Sequence, residues 1–260
     1  MFEPPKFHPL VCLLYWFSKL LGKGPRVTPH TYGAGPDKRR DWEYKQGDVF
    51  WREVDIEPWC MEKKRVLDIG CGWGGKALHY FLHYMPKQMC GIDYQAVEFS
   101  EPGFRLVKGY AEHLPWRKDA FDIAMLEDVL EHVKDPLPVL LEAYRVLKPN
   151  GILIVKFPSI RSIVAHHFDR AINLPAIHYL FSFKTLASGL NWMQAKFNLG
   201  FAPFDEVIDG RTSNLNGLTL DGFRNVLSQT GFHQLRLEAL PYFHFRGEVM
   251  SKTIIYVGVK

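Results

Sequence analysis

The sequence is short of cysteine: four occur in 260 residues, Cys12, Cys60, Cys71 and Cys90. No two are spaced C-x-x-C, which excludes zinc ribbons and dithiol redox motifs. At this length a disulfide framework is excluded too, and the four read as free thiols in a reducing compartment. Charge of one sign is not in excess: 32 Lys and Arg stand against 28 Asp and Glu, a formal net charge of +4. That balance is too weak to imply a nucleic-acid partner, and the basic clusters "DKRR" (37–40) and "EKKR" (62–65) both carry acids. Long apolar runs are missing as well. "LVCLLYWFSKLL" (10–21) is too short to span a bilayer and has no small-residue cleavage site, so it reads neither as a membrane span nor as a signal peptide. There is no internal repeat. With 47% apolar and 23% charged residues, the chain reads as an ordinary globular protein of the cytoplasm.

Glycine, by contrast, is concentrated in one place. "RVLDIGCGWGG" (65–75) carries four glycines in six positions behind an apolar run. It fits two templates: Gly70, Gly72 and Gly75 give the dinucleotide fingerprint G-x-G-x-x-G, and Gly70, Gly72 and Gly74 give G-x-G-x-G preceded by Asp68. In both, a strand ends in a tight turn and a helix N-terminus faces the ligand. Asp68 helps to separate them. A carboxylate two residues before the first glycine repels a pyrophosphate but suits a ligand carrying a sulfonium and an ammonium. Asp93, at the end of "MCGIDY", is placed to accept hydrogen bonds from ribose hydroxyls in either case.

Apolar runs at 65–70, 88–93, 104–109, 121–126 and 151–157 are strand-like, and helical stretches at 74–85 and 135–148 separate several of them. That alternation predicts an α/β fold with a mostly parallel sheet and helices on both faces. Before it, residues 22–38 read as a Gly- and Pro-rich linker, and 41–60 as one or two short helices. After Pro158 the pattern breaks, and residues 159–216 read as an insertion after strand five. Residues 219–232 form a helix with Thr219 as N-cap and Gly231 just past its end, and two final strands close a seven-stranded sheet. The division expected is a helical extension and linker over 1–60 and a catalytic domain over 61–260. At 10–21, Leu10, Leu13, Leu14, Phe17, Leu20 and Leu21 follow helical spacing as one stripe. That stripe packs on the domain or, in the sharper reading, makes a membrane-surface helix.

Further motifs follow in order: "GYAEHLPWRKDAFDIAMLEDVLEHVKDP" (109–136) and "RVLKPNGILIVKFPS" (145–159). Together with D-I-G-C-G-x-G and G-I-D, this set resembles the class I S-adenosylmethionine-dependent methyltransferases over residues 66–158. The resemblance implies a Rossmann-like seven-stranded sheet in which only the last, inserted strand is antiparallel. It implies S-adenosylmethionine as cofactor. Asp68, Gly70, Cys71, Gly72 and Gly74 would then surround its methionine part, Asp93 its ribose, and Tyr94, Ala111 and Glu112 its adenine, with Glu127 near the methionine moiety. The sequence departs from the family in one place: Tyr110 stands where Asp often precedes Ala-Glu, so that Glu112 or a carbonyl takes over an adenine contact.

Methyl transfer to a hydroxyl needs a base. If "EDVLEHV" (127–133) opens a helix, Asp128, Glu131 and His132 share one face, with His132 as candidate catalytic base and the three together as an alternative divalent-metal site resembling that of some quinone-ring O-methyltransferases. The insertion offers His166, His167, Asp169, Arg170, His178 and Tyr179 as a lid over the acceptor. The expected activity is O-methylation of a small-molecule, lipid-linked or glycan-linked acceptor, lipophilic in the sharper version, without a nucleic-acid partner and with peripheral membrane contact through residues 10–21. The rivals are a domain that binds cofactor without turnover and a nicotinamide oxidoreductase, which Asp68 and the later motifs oppose.

Overall fold

A computed structural model describes residues 9–21, 36–159, 171–172, 174, 177–199, 216–245 and 248–260. Its centre is β1 (Arg65–Ile69), flanked in parallel by β2 (Gln88–Asp93) and β5 (Phe121–Glu127). These strands are buried on both faces, which is why they read as near-continuous apolar runs. Beyond β2 lies β4 (Phe104–Lys108), also parallel, and beyond β5 lies β6 (Leu147–Phe157). The last strand, β8 (Glu248–Val259), inserts antiparallel between β6 and β7 (His233–Phe245). The order of strands reverses direction at β1, so the crevice beyond the carboxyl ends of β1 and β5 is where such a sheet takes its ligand.

Eight strands rather than seven make up the sheet among the described residues. The extra one is β3 (Phe99–Glu101), an edge strand that pairs antiparallel with β4 through the Pro102–Gly103 turn. All three of its residues are exposed, so it shows none of the apolar alternation by which a half-buried strand is recognised.

Helices cover both faces. On one, α3 (Gly47–Val54) and α4 (Gly75–Tyr84) bury Phe50, Trp51, Val54, Ala77 and Tyr80 against β1, β4 and β5. Before α3 runs α2 (Pro36–Lys45), which packs along α4, and a single 3-10 turn (Pro58–Met61) follows α3. On the other face, α5 (Pro136–Val146) and α8 (Leu220–Leu227) bury Val139, Leu140, Ala143, Phe223 and Leu227. The Phe223 ring meets those of Phe157 and Tyr256 edge-on at 5.0 and 5.6 Å, pairs worth about 0.5–1.5 kcal/mol each beyond their burial. The helix starts follow their caps. Asp135 accepts the Leu137 N–H ahead of Pro136, and Thr219 accepts the Gly222 N–H. Gly231 is not the residue that ends α8, which stops at Leu227. Gly231 lies flat beneath Tyr144, where a Cβ would come within 2.5 Å of the ring.

A third apolar cluster stands apart. It joins α1 (Pro9–Leu20) to α7 (Phe183–Phe197), with the short α6 (Ile177–Leu180) beside them. Of the two readings of the α1 stripe, packing on the domain does not hold. Val11, Tyr15 and Ser18 are buried, whereas Leu10, Leu13, Phe17, Leu20 and Leu21 are exposed. The seat on α7 is narrow: Val11 sits 3.0 Å from where a Cβ on Gly189 would be. A smooth glycine groove takes Val11 and leaves the leucine stripe on the outside. Of the linker read at 22–38, residues 22–35 lie outside the described residues, and α2 starts inside it at Pro36.

Candidate active site

β1 delivers Asp68 to the end of the central strand with 5% exposure. The chain then turns through Gly70, Gly72 and Gly74, all at positive φ (80°, 58° and 84°), before α4 begins. These values fall where a side chain is strained, so glycine is required. Almost every backbone donor of the turn is committed. Gly70 and Cys71 donate to the Ile92 carbonyl, Gly74 to Cys71, and Gly72 to Asp93 Oδ2 at 3.1 Å. The N–H groups of Trp73 and Gly75, at the start of α4, donate to the Glu43 carboxylate of α2 at 3.1 and 2.9 Å.

Glu43 settles which template the turn follows. The helix N-terminus that would cradle a pyrophosphate holds a side-chain carboxylate instead. A Cβ on Gly72 would come within 2.5 Å of Glu43 Oε1, so the two are in direct contact. No local pattern announces Glu43. It lies 30 residues before Trp73 in "DWEYKQ", on a helix whose exposed face is mixed in charge. Only the packing of α2 on α4 brings it to the turn.

Acids accumulate around this point. Burial, reinforced by Glu127, Glu43 and Asp93, pushes the Asp68 carboxyl up to about 8, with Lys76 pulling it back. Burial also raises Glu43 and Asp93, against the N–H groups that each accepts. Glu127, at the end of β5, receives Lys76 Nζ at 2.6 Å and Lys156 Nζ at 3.3 Å. Lys156 also reaches Glu53 of α3 at 2.6 Å and Asp128 at 3.4 Å. Burial by itself would depress the Lys156 ammonium, but these carboxylates hold it above the ordinary lysine range. Lys76, Lys156 and Glu53 were not singled out by the sequence. Lys76 and Lys156 are lone charges in apolar stretches and Glu53 is one of several charges in "WREVDIE", and the partner of each comes from another element. A buried site with acids on every side and two lysines already engaged favours a cationic ligand. The donor set therefore fits a sulfonium cofactor.

The remaining expected residues lie around this core. Asp93 ends β2, its Oδ1 accepting the Gln95 N–H at 2.8 Å. Tyr94, after β2, and Tyr110, after β4, are largely exposed, and Ala111 and Glu112 follow Tyr110 half-buried. The Cys71 thiol is buried and held far above its usual range by burial and the neighbouring acids, which makes it inert.

Residues 128–133 are not a helix, which corrects the expected shared face of Asp128, Glu131 and His132. They form an irregular turn, with Asp128 in the left-handed region at φ 54°. Asn216 explains it. Its side-chain amide donates to the carbonyls of Leu130 (2.6 Å) and Val133 (2.9 Å), and its backbone N–H donates to that of Glu131. Those carbonyls are thereby taken from the i+4 bonds that a helix needs. Among the described residues no group of three His, Cys, Asp or Glu side chains is arranged to hold a metal. Glu131 is almost completely buried, and burial, with Asp128 adding to it, keeps its carboxyl well above the usual range. His132 is about one-third exposed, its Nε2 3.7 Å from Glu131 Oε1. The turn rests directly on the glycine turn: a Cβ on Gly70 would come within 2.2 Å of a Val129 methyl. His166, His167, Asp169 and Arg170 lie outside the described residues. His178 and Tyr179 fall on α6, but the positions of their side chains are likewise outside.

With the geometry in place, comparison with known proteins gives the following. Residues 67–155 match the family described as "Methyltransferase domain". A tRNA U34 carboxymethyltransferase of Pseudoalteromonas atlantica is 31% identical over 145 residues, 52% of this chain and 42% of that protein. A phthiotriol/phenolphthiotriol dimycocerosates methyltransferase of Mycobacterium ulcerans is 31% identical over 101 residues, 36% of this chain and 37% of that protein. In both, the matched stretch spans less than half of the relative's length. Among solved structures, an S-adenosylmethionine-dependent methyltransferase from Mesorhizobium loti superposes with a TM-score of 0.52 at 15% identity, covering 87% of this chain and 100% of that one, which shows a shared fold.

Proposed function

Because residues 67–155 form a methyltransferase domain of the class I S-adenosylmethionine-dependent type, we propose that this chain methylates a hydroxyl oxygen on a small acceptor with an apolar part. One juxtaposition supports this above all. The turn that carries His132 packs on the glycine turn, Val129 against Gly70, so a titratable imidazole stands beside the acid-lined crevice.

When bound, S-adenosylmethionine supplies an electrophilic methyl group. The chain's own residues do the rest. Asp68 and Glu127 hold the cationic methionine end, and the lysines on Glu127 fix its carboxylate. Asp93, anchored by the N–H groups of Gly72 and Gln95, keeps lone pairs for ribose hydroxyls. Tyr94, Ala111 and Glu112 border the adenine. His132 takes the acceptor proton as general base. Holding nucleophile and methyl in line supplies on the order of 7–11 kcal/mol.

The apolar part of the acceptor is favoured by the composition of 177–199, "IHYLFSFKTLASGLNWMQAKFNL", beyond the carboxyl end of β6. The relative named for phthiotriol and phenolphthiotriol dimycocerosates is in keeping with it. The test is transfer of labelled methyl to hydroxyl acceptors of graded tail length. The reading expects kcat/KM to climb with the tail, at about 0.8 kcal/mol per buried methylene. Turnover restricted to amines, or NAD binding without binding of S-adenosylhomocysteine, would overturn it.

A further inference from the structure

The faces of α1 are divided in a way that burial among the described residues does not explain. Its inward face, Val11, Tyr15 and Ser18, is fully buried against α7. Its outward face, Leu10, Leu13, Trp16, Phe17, Leu20 and Leu21, is at least half-exposed or nearly so, reaching 66% at Leu13 and 82% at Leu20. These positions follow helical spacing, so they form one continuous apolar strip that no described element covers. Leu180 of α6 and Phe197 of α7 are exposed in the same helical cluster.

The two helical segments of this cluster carry charge of one sign. Neither 9–21 nor 177–199 contains an acid, whereas Lys19, Lys184 and Lys196 fall within them. Residues 1–35 carry Lys6, Lys19, Lys23 and Arg26 against Glu3 alone. Lys19 Nζ lies over the rings of Tyr15 and Trp16 at 5.2 and 5.7 Å. Lys196 is close enough to α1 to lower the Cys12 thiol, against the burial that raises it. Lys196 also lies over Trp192 and Phe197 at 4.7 and 5.4 Å. Leucines and aromatics on one face, with lysine ammonium groups over aromatic rings and no acid within 9–21 or 177–199, are the chemistry of a helix that lies in the headgroup layer of an anionic bilayer. A water-facing helix would not keep this strip, and a partner helix would not require one-signed charge along its margin.

We propose that the α1–α7 unit is a docking surface for anionic lipid bilayers, with Leu13, Trp16, Phe17 and Leu20 inserted among the acyl chains and Lys19 and Lys196 at the phosphates. The proposal stands independently of methyl transfer, and its test needs no acceptor. The full chain is sedimented with vesicles of phosphatidylcholine alone and with 30% phosphatidylglycerol, in low and high salt. Leu13→Gln with Leu20→Gln removes the strip without touching the seat on α7 or the net charge. Lys19→Gln with Lys196→Gln removes the charge, and circular dichroism checks that both variants keep wild-type helicity. The expected result is partition into the anionic vesicles about tenfold or more above neutral ones, weakened by salt, with a loss of about tenfold or more in the leucine variant and of the anionic preference in the lysine variant. Absence of binding to any vesicle overturns the proposal, as does equal binding by the leucine variant. So does a wild-type dimer in sedimentation velocity that the leucine variant breaks while vesicles take up neither protein, because a second copy would then be the occupant.

Discussion

Asp68→Asn should change how cofactor affinity depends on pH. The Asp68 carboxyl is raised to about 8, first by burial and then by Glu127, Glu43 and Asp93. At pH 7 only about one molecule in ten has it ionised. A cationic ligand prefers the ionised form, so binding releases the proton. At pH 7 that costs about 1.4 kcal/mol, one pKa unit. Between pH 6 and 8 the logarithm of Kd should therefore fall by about one per unit, and it should level off above 8. An α-amino group on the ligand titrates near 7.7–8.0 and acts in the opposite direction, so the informative quantity is the difference between wild type and Asp68→Asn. The asparagine mimics the protonated acid and cannot ionise. Its affinity should stay flat below pH 8, near the wild-type value at pH 6 and about a hundredfold weaker than wild type at pH 8 and above. Calorimetry with S-adenosylhomocysteine in two buffers of different ionisation enthalpy counts the proton directly, about 0.9 per wild-type binding event at pH 7. Parallel pH profiles for the two proteins, or no proton released, would refute the reasoning.

Lys156→Met should be among the most destabilising changes in the chain. It leaves Glu127, Glu53 and Asp128 facing one another around an 8%-exposed side chain, a loss of about 3–5 kcal/mol that urea titration will show as a lower midpoint. Glu43→Ala removes the acceptor for two N–H groups at the start of α4 and should cost about 0.5–2 kcal/mol, read as a fall in Tm that saturating S-adenosylhomocysteine partly restores. His132→Ala should lower kcat by about 10²–10⁴ with the cofactor Kd unchanged; an equal loss of Tm and activity would assign His132 to packing. Asn216→Leu should free the carbonyls of Leu130 and Val133 and reduce activity through the His132 turn, with a Kd for cofactor that stays at the wild-type value.

The parts of the fold that the residues made legible are those governed by neighbours in sequence. β1, β2, β5 and β6 sit between layers of helix, so burial on both faces writes them as apolar runs. Thr219 and Asp135 cap helices through their own next turn. Asp68 stood out as an acid two residues before the glycine turn, and Glu127 entered only through the family resemblance. What stayed hidden depends on distant partners. Glu43 meets the glycine turn across 30 positions, and Lys156 meets Glu53 across 103. The turn at 128–133 has a helical spacing that Asn216, 83 and 86 positions from the carbonyls it binds, prevents from forming. Which face of α1 packs inward depends on Gly189, whose missing side chain leaves room for Val11.

The place of β8 in the sheet has a consequence for how the chain reaches this structure during synthesis. β6 finds its outer neighbour only when residues 248–259 arrive, and Thr253 then bonds to Phe157 across 96 positions. Until then the outer edge of β6 keeps its backbone N–H and C=O groups unpaired. Closing so long a loop is slow, and through that interval the emerging protein is open to wrong strand pairing and to chaperone capture. Chains truncated before residue 248 should be protease-sensitive along β6, and protection there should come with residues 248–259.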